Sequence, residues 1–196
     1  MYSKSIQKLI TLFSKLPTVG PRTASRFVFY LTKLSQEELD NFSESIKNIK
    51  NSIKVCPSCF NTYDPLVNLN LCEICSNNIR DKSLLCIIEK ETDLSTIEET
   101  KTYNGLYFVL GGTLNLKKDN QIRIPELKEK IKNSNFLEII IAVNPTTEGE
   151  ATRLLLEREL ASFNVKITHL GRGLPVGGEL EYADPDTLES AFKGRS

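Results

Sequence analysis

Cys56, Cys59, Cys72 and Cys75 form two CxxC pairs separated by residues 60–71. Each pair brings two sulfurs close enough to converge on one tetrahedral ion, and thiolates select zinc over harder cations. Four protein ligands leave no open position for a substrate or an activated water, so the expected ion is one structural Zn2+. The stretch from Val55 to Ser76 holds few large apolar residues, so its folding is expected to need the metal. A pair of disulfides is the rival use of the same residues, and the redox compartment decides between them. No apolar stretch approaches the ~20 residues that a membrane span requires. The start MYSKSIQKLITLFSK spreads lysines among its apolar positions, unlike a secretory signal. It has the amphipathic, acid-free character of a mitochondrial presequence but no arginine, and it runs directly into a structured motif. The expected location is cytoplasmic, where thiols stay reduced and zinc is favoured. Cys86 lies in the apolar run LLCII and reads as an inert buried residue.

The second chemical signal is LPTVGPRTASR, residues 16–26. Gly20 in a tight turn between two helices lets the backbone approach a phosphate, and the next helix offers free N–H groups and a positive dipole end. Arg22 and Arg26 lie four apart and project from one side of that helix. Formal net charge is zero, yet residues 1–36 contain Lys4, Lys8, Lys15, Arg22, Arg26 and Lys33 and no Asp or Glu. A basic segment on a neutral chain points to a local polyanion contact. Such contacts hold a backbone without reading bases, so the expected DNA binding is non-specific and salt-dependent. The bland alternatives are a solvated helix face or a hairpin that packs another subunit.

The elements that position these groups follow from periodicity. Ile6, Leu9, Ile10, Phe13 and Leu16 make one helical stripe over residues 3–16. A second helix begins at Pro21, whose missing N–H costs nothing in a first turn. Ser35 and Glu38 open a third as a capping box, running to about Ile53. Beyond the cysteines, apolar runs at residues 84–88, 106–111, 137–143 and 165–170 read as buried strands. Helical stretches at 95–102, 125–133 and 148–162 separate them. Alternation of this kind implies a mainly parallel sheet covered on both faces. The stretch 111–124 reads as a polar, mobile loop.

In a parallel sheet, ligands belong at the carboxyl ends of strands. Glu89 follows one such run, and Asn144, Thr146, Glu148, Gly149 and Glu150 follow another. A glutamate at one strand end and an acidic DxD-type cluster at the next is similar to the Toprim fold, whose carboxylates hold magnesium for phosphoryl transfer. Here Asn144 and Thr146 stand where the two aspartates would be. An amide and a hydroxyl bring no negative charge, so magnesium affinity is expected to fall and catalysis is not expected. His169, the one histidine, reads as structural, and no Ser/His/Asp or Cys/His arrangement can be assembled.

The order of parts carries a wider resemblance. LPTVGPRTASR resembles a helix-hairpin-helix of DNA repair proteins. The cysteine module follows it, then a Toprim-like sheet with NPTTEGEAT, then GLPVGGELEYAD. Together they closely resemble the RecR family of bacterial recombination mediators over nearly the whole chain. Two features depart from that family: a longer interval between the CxxC pairs, and GGTLNLKKDNQIRIPEL in place of a GRISPLDG-like stretch.

The resemblance implies an α/β multi-module chain. Its expected parts are a helix-hairpin-helix domain at 1–54, a small four-cysteine zinc module at 55–76, a Toprim-like Rossmannoid, mainly parallel sheet at 80–174, and a C-terminal assembly segment at 175–196. It further implies a non-catalytic, nucleoid-associated DNA repair protein forming a ring-like homotetramer around DNA. That protein would act with RecO, and with RecF, to help load RecA at single-stranded gaps coated by single-strand-binding protein. By the same resemblance Gly20, Arg22 and Arg26 face DNA. Glu89, Asn144, Glu148 and Glu150 form the Toprim acidic surface for a basic partner such as RecO. GLPVGG supports subunit assembly. The runner-up reading is a magnesium-dependent Toprim nuclease or primase-like enzyme, and a third is a zinc-dependent interaction protein with no DNA role.

Overall fold

The computed structural model describes residues 2–65, 70–114, 122–171, 173–174 and 176–195. The chain divides into two compact units, Met1–Ser52 and Ile53–Ser196.

The first unit holds three helices, α1 (Lys4–Phe13), α2 (Pro21–Leu31) and α3 (Gln36–Ser52). Ser3 caps α1 by accepting from the Ile6 N–H. Pro21 occupies the first position of α2. Ser35 and Glu38 form the capping box of α3: the Glu38 carboxylate accepts from the Ser35 N–H at 2.8 Å and Ser35 Oγ accepts from the Glu38 N–H at 3.3 Å. Among the described residues of this unit only Ile10, Ala24 and Val28 are buried, with Ile6, Phe13 and Val19 packed around them. Helix α3 buries no residue, and its apolar stripe of Phe42, Ile46 and Ile49 is exposed.

In the second unit the cysteine module is built from β1 (Lys54–Val55), its antiparallel partner β2 (Thr62–Tyr63) and the short α4 (Glu73–Ser76). A four-stranded sheet follows, all parallel, with β3 (Asp81–Ile88) and β5 (Glu138–Ala142) in the middle, β4 (Gly105–Val109) at one edge and β6 (Lys166–His169) at the other. Helices α5 (Glu91–Glu99), α6 (Ile124–Lys132) and α7 (Thr147–Leu160) make the crossovers. Alternation along β3 splits the core in two. Leu85 and Ile87 pack with Leu127 and Ile131 of α6 and Leu156 and Leu160 of α7. Cys86 and Ile88 pack with Leu94 and Ile97 of α5 on the other face. Burial on both faces explains why these strands read as unbroken apolar runs.

Three expectations are adjusted. Helix α5 begins four residues earlier than periodicity indicates, because the Asp93 carboxylate accepts from the Lys90 N–H at 3.1 Å and starts the helix directly after the strand. Lys101, at φ 56, ends it. The stretch 111–124 is anchored at both ends: the Leu114 N–H donates to Thr152 Oγ1 at 2.8 Å, and the Arg123 guanidinium donates to the Val109 carbonyl at 3.0 Å. Residues 115–121 lie outside the described residues. Finally, the terminal segment forms a 3-10 turn (Leu180–Tyr182) and α8 (Pro185–Lys193), the latter capped by Asp184.

Candidate metal centre and nucleic-acid interface

The ligand sulfurs of Cys56, Cys59, Cys72 and Cys75 all lie within 4.8 Å of one another, with Cys59 and Cys72 3.5 Å apart. A tetrahedral ion with Zn–S bonds of ~2.3 Å needs sulfurs about 3.8 Å apart, so the set fits such an ion. Three of the four are buried and Cys75 is half-buried. The Cys59 thiol, hydrogen-bonded to Cys56, holds Cys56 far below the ordinary thiol range, while Cys56 pushes Cys59 far above it. Cys72 is likewise lowered and Cys75 raised, so the four thiols share protons among themselves, and binding a metal would release those that remain. Cys86 stands apart. Burial pushes its thiol up to about 12, and it is a packing residue.

The knuckle is joined to the sheet by its own backbone. The Val109 N–H, at the open edge of β4, donates to the Cys59 carbonyl at 2.9 Å. Phe60 meets Phe108 edge-on at 5.3 Å, and the Arg123 guanidinium lies over the Phe60 ring, 4.9 Å from its centroid. Lys130 donates to the Ser58 carbonyl at 2.9 Å and to its hydroxyl at 2.7 Å. An edge strand that would offer unpaired donors is therefore covered by the first CxxC loop.

At the entrance to α2, Gly20 is extended, with φ −80 and ψ 169. The left-handed residue of this turn is Thr18, at φ 64. Gly20 is thus not required by its backbone angles; its contribution is an opening, since a Cβ there would meet nothing within 4 Å. No side chain caps α2, and the first intrahelical bond runs from the Ala24 N–H to the Gly20 carbonyl. The N–H groups of Arg22 and Thr23 therefore point out of the helix start without an intrahelical acceptor. Arg22 and Arg26 are both exposed, and neither makes an ion pair among the described residues. Open donors, a positive dipole end and two unpaired guanidinium groups converge on one side, an arrangement that takes a phosphate.

The strand-end residues are partly brought together. The Glu89 carboxylate, on a residue only 8% exposed, accepts from the Asn144 backbone N–H at 2.6 Å and from Asn144 Nδ2 at 2.8 Å. Glu89 is therefore not an open surface charge; it fixes the turn that starts α7. In that turn the Thr146 N–H donates to the Asn144 carbonyl, and Thr146 Oγ1 accepts from the Gly149 N–H at 3.1 Å. Glu148 is exposed on the outer side. Glu150 pairs with Arg153 at 3.0 Å, which also holds Glu157 at 2.5 Å, and Glu157 lies 2.8 Å from His169. His169 Nε2 thus stands at the end of this chain of contacts, against Glu157. Of these groups Asn144, Thr146, Glu150, Arg153 and His169 line a cleft of about 960 Å³ that Asp93, Asp184 and Asp186 also line. Sequence reasoning did not assign those three aspartates to the site; the Asp184-Pro185 helix start was a signal it passed over.

Three family models match the chain. A "RecR, helix-hairpin-helix" model matches residues 6–50, a "Toprim domain" model residues 83–171, and a "RecR, C-terminal" model residues 173–196. A protein named "Recombination protein RecR" from Rubrobacter xylanophilus is 41% identical over 99% of this chain and 97% of its own length. Likewise named proteins from Dehalococcoides mccartyi and Bifidobacterium adolescentis are 42% and 40% identical, over 97% and 99% of this chain and 93% and 96% of their own. The chain belongs to the RecR family. Within the RecR frame, Gly20, Arg22 and Arg26 fall inside the helix-hairpin-helix match, and Glu89 to Glu150 inside the Toprim match. The four cysteines lie between those two matches, where their geometry makes a candidate metal site. No helix among the described residues is long and apolar enough to cross a membrane.

Proposed function

We propose that this RecR-family chain is a non-catalytic, DNA-binding mediator of recombination and repair that holds DNA through the start of α2. The observation that carries this reading is the pair of exposed, unpaired arginines, Arg22 and Arg26, beside an uncapped helix start. They lie in a stretch of the chain that has no acid before Glu37. Phosphate contacts of this kind give affinity independent of base sequence. The four-cysteine site holds one structural zinc. The chain works in the cytoplasm on nucleoid DNA, with RecO and RecF, to help load RecA at gaps. Family membership supports that part of the reading, as does the cleft lined by Asp93, Glu150, Asp184 and Asp186, whose acids suit a basic partner.

Assembly as a homotetrameric ring is supported by two sets of exposed apolar side chains, one on each unit. The first is the α3 stripe; the second comprises Leu174, Val176, Leu180, Tyr182 and Phe192 around GLPVGG. Two separate interfaces on each subunit are what a closed ring of four copies needs. A non-catalytic reading is favoured over a Toprim enzyme because the Glu89 carboxylate is occupied by Asn144 and the DxD carboxylates are missing.

The experiment is DNA binding by wild type and by Arg22→Ala/Arg26→Ala as salt is varied. The double variant is expected to bind weakly to every sequence, with a salt slope shallower by about two. Unchanged affinity and slope would remove the reading. Solution mass with and without DNA tests the ring, and a stable monomer that binds equally well would exclude it.

A further inference from the structure

Helix α2 carries aromatic rings on the same side as its arginines. At 3.6 residues per turn, Arg22, Arg26, Phe29 and Tyr30 fall within an arc of about 100°. That arc lies opposite Ala24 and Val28, the two buried residues of the helix. Lys33 follows just beyond the helix end, and all five are exposed. The two rings differ in what they touch. Phe29 meets Tyr2 edge-on at 5.3 Å. Tyr30 is 64% exposed, and among the described residues its ring packs on no other ring and its hydroxyl makes no hydrogen bond. A flat apolar surface therefore stands in water one turn from Arg26, with cations before and after it.

We propose that Tyr30 is a stacking platform for a nucleobase, so that this face of α2 takes single-stranded nucleic acid with Arg22 and Arg26 on its phosphates. The inference rests on the reading of α2 as the DNA-facing helix and specifies its substrate. In a duplex both faces of every base are already stacked, and a side chain outside the helix reaches only edges and phosphates. An unpaired base offers its face to an aromatic ring, and stacking of this kind tolerates any sequence, as does the backbone contact beside it.

A second copy of the chain is the competing occupant, and charge argues against it. A two-fold contact through this face would set Arg22 and Arg26 against the same positive face of the partner, with both desolvated. The exposed stripe of α3, Phe42, Ile46 and Ile49, is bordered by Glu38 on one side and Lys50 on the other, opposite charges that can pair across a two-fold contact, and is the better self-contact.

The test uses Tyr30→Ala and Tyr30→Trp in the full chain, measured on oligo(dT) and on a duplex of matched charge. Tyr30→Ala is expected to lower oligo(dT) affinity about tenfold or more while leaving duplex affinity within about twofold. The chain has no tryptophan, so Tyr30→Trp supplies a single indole reporter. It is expected to bind as wild type, with emission quenched by oligo(dT) and not by duplex. Unchanged oligo(dT) binding by Tyr30→Ala, equal loss on both DNAs, or a change in its solution mass would each overturn the stacking role. Arg22→Ala/Arg26→Ala separates the two levels. If that variant weakens on both DNAs while Tyr30→Ala does not, only the stacking inference falls; if it binds both as wild type, the DNA-facing reading falls with it.

Discussion

Asn144 closes on Glu89 with two donors, its backbone N–H at 2.6 Å and its side-chain amide at 2.8 Å, so both carboxylate oxygens of the Toprim glutamate are occupied from within the chain. The amide nitrogen places the positive end of a dipole against one carboxylate oxygen. Asn144→Asp removes one donor and sets two carboxylates side by side, which cannot both ionise at this distance without a cation between them. The expected outcome is a melting temperature several degrees lower in magnesium-free buffer, from a loss of about 1–3 kcal/mol. Millimolar magnesium should restore it, whereas the wild type should melt at the same temperature with or without the ion. A wild-type protein stabilised by magnesium would show that the Glu89 site still takes a metal.

Zinc is expected at one ion per chain, and its loss should be felt in the sheet. Cys59→Ser removes one of four ligands and loosens the loop whose carbonyl receives the Val109 N–H. The variant should lose bound zinc and melt at lower temperature before any direct effect on DNA contacts. Cys86→Ala serves as the control, since Cys86 is buried away from the cluster. It should keep its zinc and lose only about 1 kcal/mol. Metal analysis beside thermal unfolding of both variants decides this, and a Cys59→Ser protein that retained full zinc and stability would contradict it.

Much of this architecture is legible in the chain because it depends on local pattern. The apolar runs at 84–88 and 137–143 announce buried strands, and the CxxC spacing announces the ligand set. What is not legible depends on neighbours distant in sequence. The Glu89–Asn144 pair exists because β3 and β5 lie side by side with Ile88 opposite Ala142, which brings residues 55 positions apart to one strand end. The join between Cys59 and Val109 has the same origin, as a knuckle meets an edge strand fifty residues later. The cap of α5 is hidden for a different reason. Asp93 reaches back to Lys90, and a lysine at that position lacks the usual Ser, Thr, Asp or Asn of a helix start.

Two glycines in the candidate sites should respond in opposite ways to alanine. A Cβ on Gly149 would lie 1.9 Å from the Asn144 carbonyl oxygen, a backbone atom held by the same turn. Gly149→Ala must therefore shift either the helix or the strand end, at a cost of about 3 kcal/mol or more. Gly20 has ordinary φ and open space around it, so Gly20→Ala should fold with a loss below about 1 kcal/mol. Any fall in its DNA affinity then reports the approach of a phosphate to the helix start. Urea unfolding and DNA titration of both variants check the contrast, and a well-folded Gly149→Ala protein would refute the account of the turn.

The pH response of the second unit should be set in part by Glu98. Its carboxylate is hydrogen-bonded by the Arg80 guanidinium, which also reaches the Gly105 carbonyl at 3.4 Å, and by the Tyr107 hydroxyl at 2.6 Å. The Arg80 contact holds the Glu98 carboxyl below its ordinary range, the Tyr107 hydrogen bond adds to this, and partial burial works against both. A group whose folded value is depressed stabilises the fold fully above its unfolded value, about 4.3, and that contribution is lost as pH falls through the folded value. Melting temperature should therefore drop on acidification below about pH 4.5, as other depressed carboxylates such as Glu138 and Glu159 titrate too. Glu98→Gln keeps the shape but not the charge. It should be less stable than wild type at pH 7 by about 1.5–3 kcal/mol and show a shallower acid limb. If the two proteins instead lost stability in parallel from pH 7 to pH 3, the Arg80–Glu98 pair would contribute nothing to folding at neutral pH.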